Sequence, residues 1–185
     1  MSSGSIASRY AKGLFEFCQE NNELESIYPI IRHLLEILSK ESKLHEMLED
    51  ITLTPDEKIS LIERVSGNTF LPKTLKQFIA LIIKKNRTDI LFNVFLIFRR
   101  IYLNSKNILD VELLMADELT PPALEKIKAK VANTLNSACE IDVKVKPELI
   151  AGYTLIVNGK VFDSSIKGQL SSVKKNLLEK KFDNR

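Results

Sequence analysis

With 185 residues, 44% of them hydrophobic and 28% charged, the chain has apolar material for one large core or two small ones, and disorder is not its default state. Its formal charge of +3 comes from 27 basic and 24 acidic side chains, shared between both halves without the concentrated basic stripe that holds nucleic acid by counterion release. The longest nearly apolar run, Ile90–Phe98, is interrupted by Asn93 and falls far short of the roughly 20 residues that cross a bilayer as a helix.

The chain opens on small polar residues, Met1–Ser5, instead of a basic stretch followed by an apolar one, so no secretory leader is expected. Ala7, Tyr10, Ala11, Leu14, Phe15 and Cys18 then recur at helical spacing, with Ser5 as the expected N-cap. Asn21 and Asn22 end this helix. Ile27, Ile31, Leu34 and Leu38 mark a second helix, which either starts near Pro29 or kinks there. A short helical turn carries Leu44, Met47 and Leu48.

Thr54-Pro55-Asp56-Glu57 reads as a capping box with proline at the first helical position. Ile59, Ile62 and Val65 follow on one face, and Gly67 is the expected stop. Pro72 opens a fifth helix through Leu75, Phe78, Ile79 and Ile82 that closes near Asn86. The basic run Lys84–Arg87 suits the C-terminal end of that helix, where cations are favoured. Thr88 is the expected cap of a sixth helix through Leu91, Phe95, Phe98 and Tyr102, apolar nearly all round until Arg99 and Arg100, and so expected at the centre of a bundle.

The period changes after Asn104–Asn107. Leu109, Val111, Leu113 and Met115 alternate with Asp110, Glu112 and Leu114, as in a strand. Thr120-Pro121 begins a helix carrying Leu124, Ile127, Val131 and Leu135, and Ile141, Val143 and Val145 alternate again. Asn158-Gly159, between Tyr153–Val157 and Lys160–Phe162, is the dipeptide best suited to a type I′ hairpin. A last amphipathic helix holds Ile166, Leu170, Val173 and Leu177. The expected architecture is mainly α with a smaller α/β part. A six-helix bundle over 1–106 precedes a small α/β domain with a β-hairpin over 107–185.

Residues that carry chemistry are scarce. His33 and His45 have no second histidine or cysteine at metal-ligand spacing. No nucleophile elbow and no phosphate-cradling glycine loop occurs. Asp163-Ser164-Ser165 reads as a helix cap after a strand, and Cys18 and Cys139, in unlike contexts, as reduced thiols. Catalytic, cofactor-binding and metal-binding residues are expected to be absent.

One feature exceeds what a bundle needs. On the first helix Tyr10, Gly13 and Phe17 widen the face formed by Ala7, Ala11, Leu14 and Cys18; on the fifth, Leu81 extends the stripe of Leu75, Phe78, Ile79 and Ile82. A helix packed on one neighbour needs a stripe little over 100° wide. Either both helices have neighbours on two sides, or together they form a groove for a partner's amphipathic helix. Gly13 would let that helix approach closely.

Arg9-Tyr10-Ala11-Lys12 with Leu14-Phe15 resembles the opening helix of ATP synthase delta subunits and of their mitochondrial relative, the oligomycin-sensitivity-conferring protein. Asn86-Arg87 is similar to that family's junction between its last two bundle helices. The stretch Pro147–Tyr153, then Asn158-Gly159, then Val161–Leu170 resembles the family's strand, hairpin and helix start, with Ile150, Gly152, Asp163, Ser165, Gln169 and Leu170 at motif positions. Ala151 and Ser164 stand where the family commonly has glycine, and Lys167 where it often has arginine.

The resemblance implies a non-catalytic stator subunit of the F-type proton-translocating ATP synthase, one copy per complex, without cofactors and without direct membrane insertion. Its bundle would take N-terminal helical segments of the alpha subunits, which assigns Tyr10, Gly13, Leu14, Phe17, Phe78, Leu81 and Ile82 to that contact. Its C-terminal domain would hold the ends of the stalk b subunits, and the whole would resist rotor torque. A bacterial protein at the cytoplasmic face of the inner membrane is expected in preference to a processed organellar one, since no transit segment is visible. The competing class, a helical RNA-binding or antitermination-type factor, is disfavoured by the even charge distribution and by the lack of aromatics interleaved with a basic stripe.

Overall fold

The computed structural model describes residues 3–67, 71–117, 120–149 and 152–163. The chain divides into two compact units between Ser105 and Lys106.

The first unit is helical: α1 (Ser3–Glu20), α2 (Leu24–Lys40), α3 (Ser42–Glu49), α4 (Pro55–Val65), α5 (Lys73–Lys84) and α6 (Leu91–Ser105). Asparagine ends two of these helices by the same device. Asn22 and Asn86 sit at φ 56° and 50°, a left-handed conformation that asparagine tolerates better than most residues. After α1 the Glu23 N–H donates to the Cys18 carbonyl at 2.9 Å and the Asn22 N–H to Gln19 at 3.1 Å; after α5 Arg87 donates to Ile82 at 3.1 Å and Asn86 to Ile83 at 2.9 Å. These paired bonds satisfy carbonyls that a helix end otherwise strands. Gly67, at φ 69°, follows the cap residue of α4 in the same role.

The capping box forms as its residues require. Thr54 Oγ1 accepts from the Glu57 N–H at 3.3 Å, and Glu57 Oε2 accepts from the Thr54 N–H at 2.8 Å. The Thr54 backbone and side-chain donors hold the Glu57 carboxyl below its ordinary range.

Three boundaries differ from the local signals. Helix α1 already includes Ser3, so Ser5 lies inside it and is not its N-cap; Gly4 does not stop the helix from starting before it. Helix α2 does not start at Pro29 but runs through it, of the two expected arrangements the one that keeps the helix continuous, because the loss of a single N–H is offset by burial of Ile27, Ile31, Leu34 and Leu38 on one side. Thr88 opens a 3₁₀ turn over Thr88–Ile90, where the Ile90 N–H donates to Arg87 at 3.2 Å, and α6 begins only at Leu91.

Helix α6 packs on α1 and α2, with Val94, Phe95 and Phe98 fully buried. Phe98 lies 6.1 Å from Phe15 at 59°. Tyr102 stacks on Tyr28 at 3.8 Å and donates its hydroxyl to Glu25 at 2.7 Å. The helix is nonetheless not enclosed on every side. Leu96 is 40% exposed, whereas Arg99 is buried.

The second unit is a four-stranded sheet in the order β2-β1-β3-β4, made by β1 (Leu109–Met115), β2 (Cys139–Val145), β3 (Tyr153–Val157) and β4 (Lys160–Asp163), with α7 (Pro121–Leu135) between β1 and β2. Strands β1 and β2 are parallel, which demands the long crossover that α7 supplies. Thr120 occupies the N-cap of α7 before Pro121 but makes no side-chain cap bond. Strand β3 returns antiparallel to β1, and β4 antiparallel to β3. Asn158 and Gly159 take φ 49° and 84° and join Val157 to its partner Lys160, a two-residue turn of the primed type. Asn158 Oδ1 also accepts from the Asp110 N–H at 3.0 Å, tying the turn to β1. Val111 and Leu113 are fully buried, but Leu114 and its neighbour Thr154 on the opposite face are buried too. Leu114 already interrupts the polar side of the alternation in the sequence, and an interior strand can bury such a residue on its second face. The final helix expected around Ile166–Leu177 lies outside the described residues.

Candidate functional site

The two stripes of α1 have different fates. Ala7, Ala11, Leu14 and Cys18, spaced four, three and four residues apart, are completely buried in the bundle. Tyr10 is half-buried, while Gly13 is exposed and Phe17 is 37% exposed. Helix α5 repeats the division, with Leu75, Ile79 and Ile82 buried and Leu81 44% exposed. The second stripes face each other across a groove of about 430 Å³ lined by Arg9, Tyr10, Gly13, Phe17, Gln77, Phe78 and Leu81. Tyr10 and Phe78 meet edge-to-face at 6.3 Å and form its aromatic wall.

Of the candidate residues, Tyr10, Gly13, Phe17, Phe78 and Leu81 thus lie together. Leu14 and Ile82 do not line the groove: both are fully buried, because their turn positions belong to the core stripes. Arg9 and Gln77 were missed when only apolar residues were weighed. Helical spacing identifies them, since Arg9 precedes Gly13 by four residues and Gln77 precedes Leu81 by four. A Cβ added to Gly13 would meet nothing within 4 Å, so the groove floor is open there.

In the second unit Gly152 precedes β3 at φ 90°, a conformation that L side chains rarely adopt. Asp163 ends β4 and accepts from the Thr154 hydroxyl at 3.3 Å. Ile150, Ser165, Gln169 and Leu170 lie outside the described residues.

Nothing else among the described residues is arranged for chemistry. No group of three or more His, Cys, Asp or Glu side chains converges as a metal site. His45 contacts the Leu38 carbonyl at 3.2 Å and the Phe92 ring edge-on, so it packs the α2–α3 corner. Cys18 and Cys139 are both free thiols. No helix among the described residues is long and apolar enough to cross a membrane.

The profile of the ATP synthase delta (OSCP) subunit family matches residues 6–177. The chain is 28% identical over 177 residues to the ATP synthase subunit delta of Rickettsia felis, covering 96% of each protein. It is 28% identical over 176 residues to that of Protochlamydia amoebophila, covering 95% of this chain and 97% of the relative. Among solved structures, a chain of the Toxoplasma gondii mitochondrial ATP synthase hexamer shares the fold, with TM-score 0.69 at 15% identity over 94% of this chain and 97% of that one. The family profile spans nearly the whole chain and the relatives match end to end: this chain belongs to the ATP synthase delta (OSCP) subunit family, the non-catalytic stator link between catalytic head and peripheral stalk.

Proposed function

We propose that the α1–α5 groove is the seat of the catalytic head and takes an N-terminal amphipathic helix of the alpha subunits, while the α/β unit holds the ends of the stalk b subunits. The observation that carries this reading is the second apolar stripe on each helix, which the described residues of the bundle leave uncovered. Apolar side chains in an open groove are the usual seat for a helix with anchors at i, i+3, i+4 and i+7. The complex sits at the cytoplasmic face of a bacterial inner membrane in this reading, with the present chain peripheral to it.

Gly13→Leu tests the seat. The new side chain meets nothing at its Cβ and stands at an exposed position that lines the groove, and replacing an exposed helical glycine improves helix propensity by about 0.8 kcal/mol. The variant is therefore expected to fold at least as stably as the parent, by circular dichroism and thermal melting, and to lose affinity for an alpha-subunit N-terminal peptide. Unchanged affinity in the folded variant refutes the groove assignment.

A further inference from the structure

Arg9 stands apart from the rest of the groove lining. It is exposed on α1, one turn before Gly13. Its neighbours at helical spacing are Ser5, Ile6, Lys12 and Gly13, so the helix offers it no carboxylate three or four residues away. Across the groove stands Gln77, an uncharged amide. Among the described residues no hydrogen bond or ion pair engages its guanidinium.

A guanidinium carries five N–H donors in a planar fork that matches a carboxylate in two parallel bonds. Covering it with a purely apolar surface would strand those donors out of water, and desolvated donors without acceptors oppose binding. The apolar lining extends from Tyr10 to Phe17, about 10 Å along the helix axis at the α-helical rise. Arg9 stands at one end of it. An acid at one end of a two-turn apolar stripe is the acceptor on a bound helix that answers both the charge and the forked donors of Arg9.

We infer that the helix filling this groove presents an Asp or Glu carboxylate to Arg9, which thereby sets the register and the end-to-end sense of the bound helix; this rests on the groove-docking reading above. Arg9 is a specificity-determining residue, and the apolar lining supplies the adhesion.

The test is calorimetric titration of the full chain with a synthetic peptide of the alpha-subunit N-terminal segment, and with copies in which each Asp or Glu in turn becomes its amide. Because Arg9 is exposed, Arg9→Gln should leave the helical circular dichroism unchanged. It is expected to weaken binding about tenfold, the order set by a charge-assisted hydrogen-bond pair. One amide-substituted peptide should lose affinity to the same degree, and combining it with Arg9→Gln should cost little more. Arg9→Glu should recover binding to a peptide carrying Arg at that one position. Undiminished affinity of Arg9→Gln, or additive losses with every peptide acid, overturns the inference while Gly13→Leu still reports on the groove. A wild-type chain that ignores the peptide overturns both.

Discussion

Cys18 lies on the α1 stripe that faces the core and is fully buried. Burial first, and the negative charge of Glu23 second, push its thiol from 9.0 up to about 12. In the unfolded chain the thiol ionises near its ordinary value, whereas the folded state keeps the proton. The folded state then binds more protons, so stability falls as pH rises from 9.0 towards about 12. At neutral pH a thiol reagent is expected to modify part-exposed Cys139 and spare Cys18 until the chain unfolds; equal rates on the native protein would contradict this burial. Single residues were legible where their role is local. The asparagines at 22, 86, 107 and 158 all take positive φ in a chain with only six glycines, and each lies in or beside a break visible in the sequence. Arg99 was not legible, since its burial depends on which side of α6 meets its neighbours. Arg9 escaped notice because a polar residue beside an apolar stripe looks like ordinary surface until the opposite wall is known.

At the scale of elements, signals closed within four residues came through intact: the Thr54–Glu57 capping box, the Gly67 stop, the Asn158-Gly159 turn. Signals that tertiary packing can override did not. Pro29 does not start α2, which runs through it, and Thr88 yields to a 3₁₀ turn although threonine is a good cap. The hairpin offers a clean test, because Gly159 at φ 84° has no atom within 4 Å of where a Cβ would stand. Gly159→Val thus meets a backbone penalty of about 1–3 kcal/mol for a β-branched residue held in the left-handed region, with no clash at its Cβ. Thermal unfolding followed through both units should show the α/β unit melting earlier and the helical unit unchanged. Equal destabilisation of both, or of neither, would place the turn wrongly.

For the whole molecule, the change from helical to alternating period near Asn104–Asn107 made two architectures readable in one chain. The groove was only half readable: the excess width of two stripes was visible, and spacing already set Leu14 and Ile82 on the core stripes, but the facing of the second stripes across α1 and α5 is a property of the bundle. The proposed division of labour seats the head on the helical unit and the stalk on the other. The helical unit buries Leu14, Ile31, Leu75, Ile79, Phe95 and Phe98 among its own helices, so a fragment of residues 1–105 is expected to fold alone. Calorimetric titration of this fragment against the alpha-subunit N-terminal peptide, and separately against the soluble part of the b stalk, is the direct measurement. Peptide affinity equal to that of the full chain is expected, with no heat on adding the stalk. Stalk binding by the folded fragment, or loss of the peptide, would contradict it.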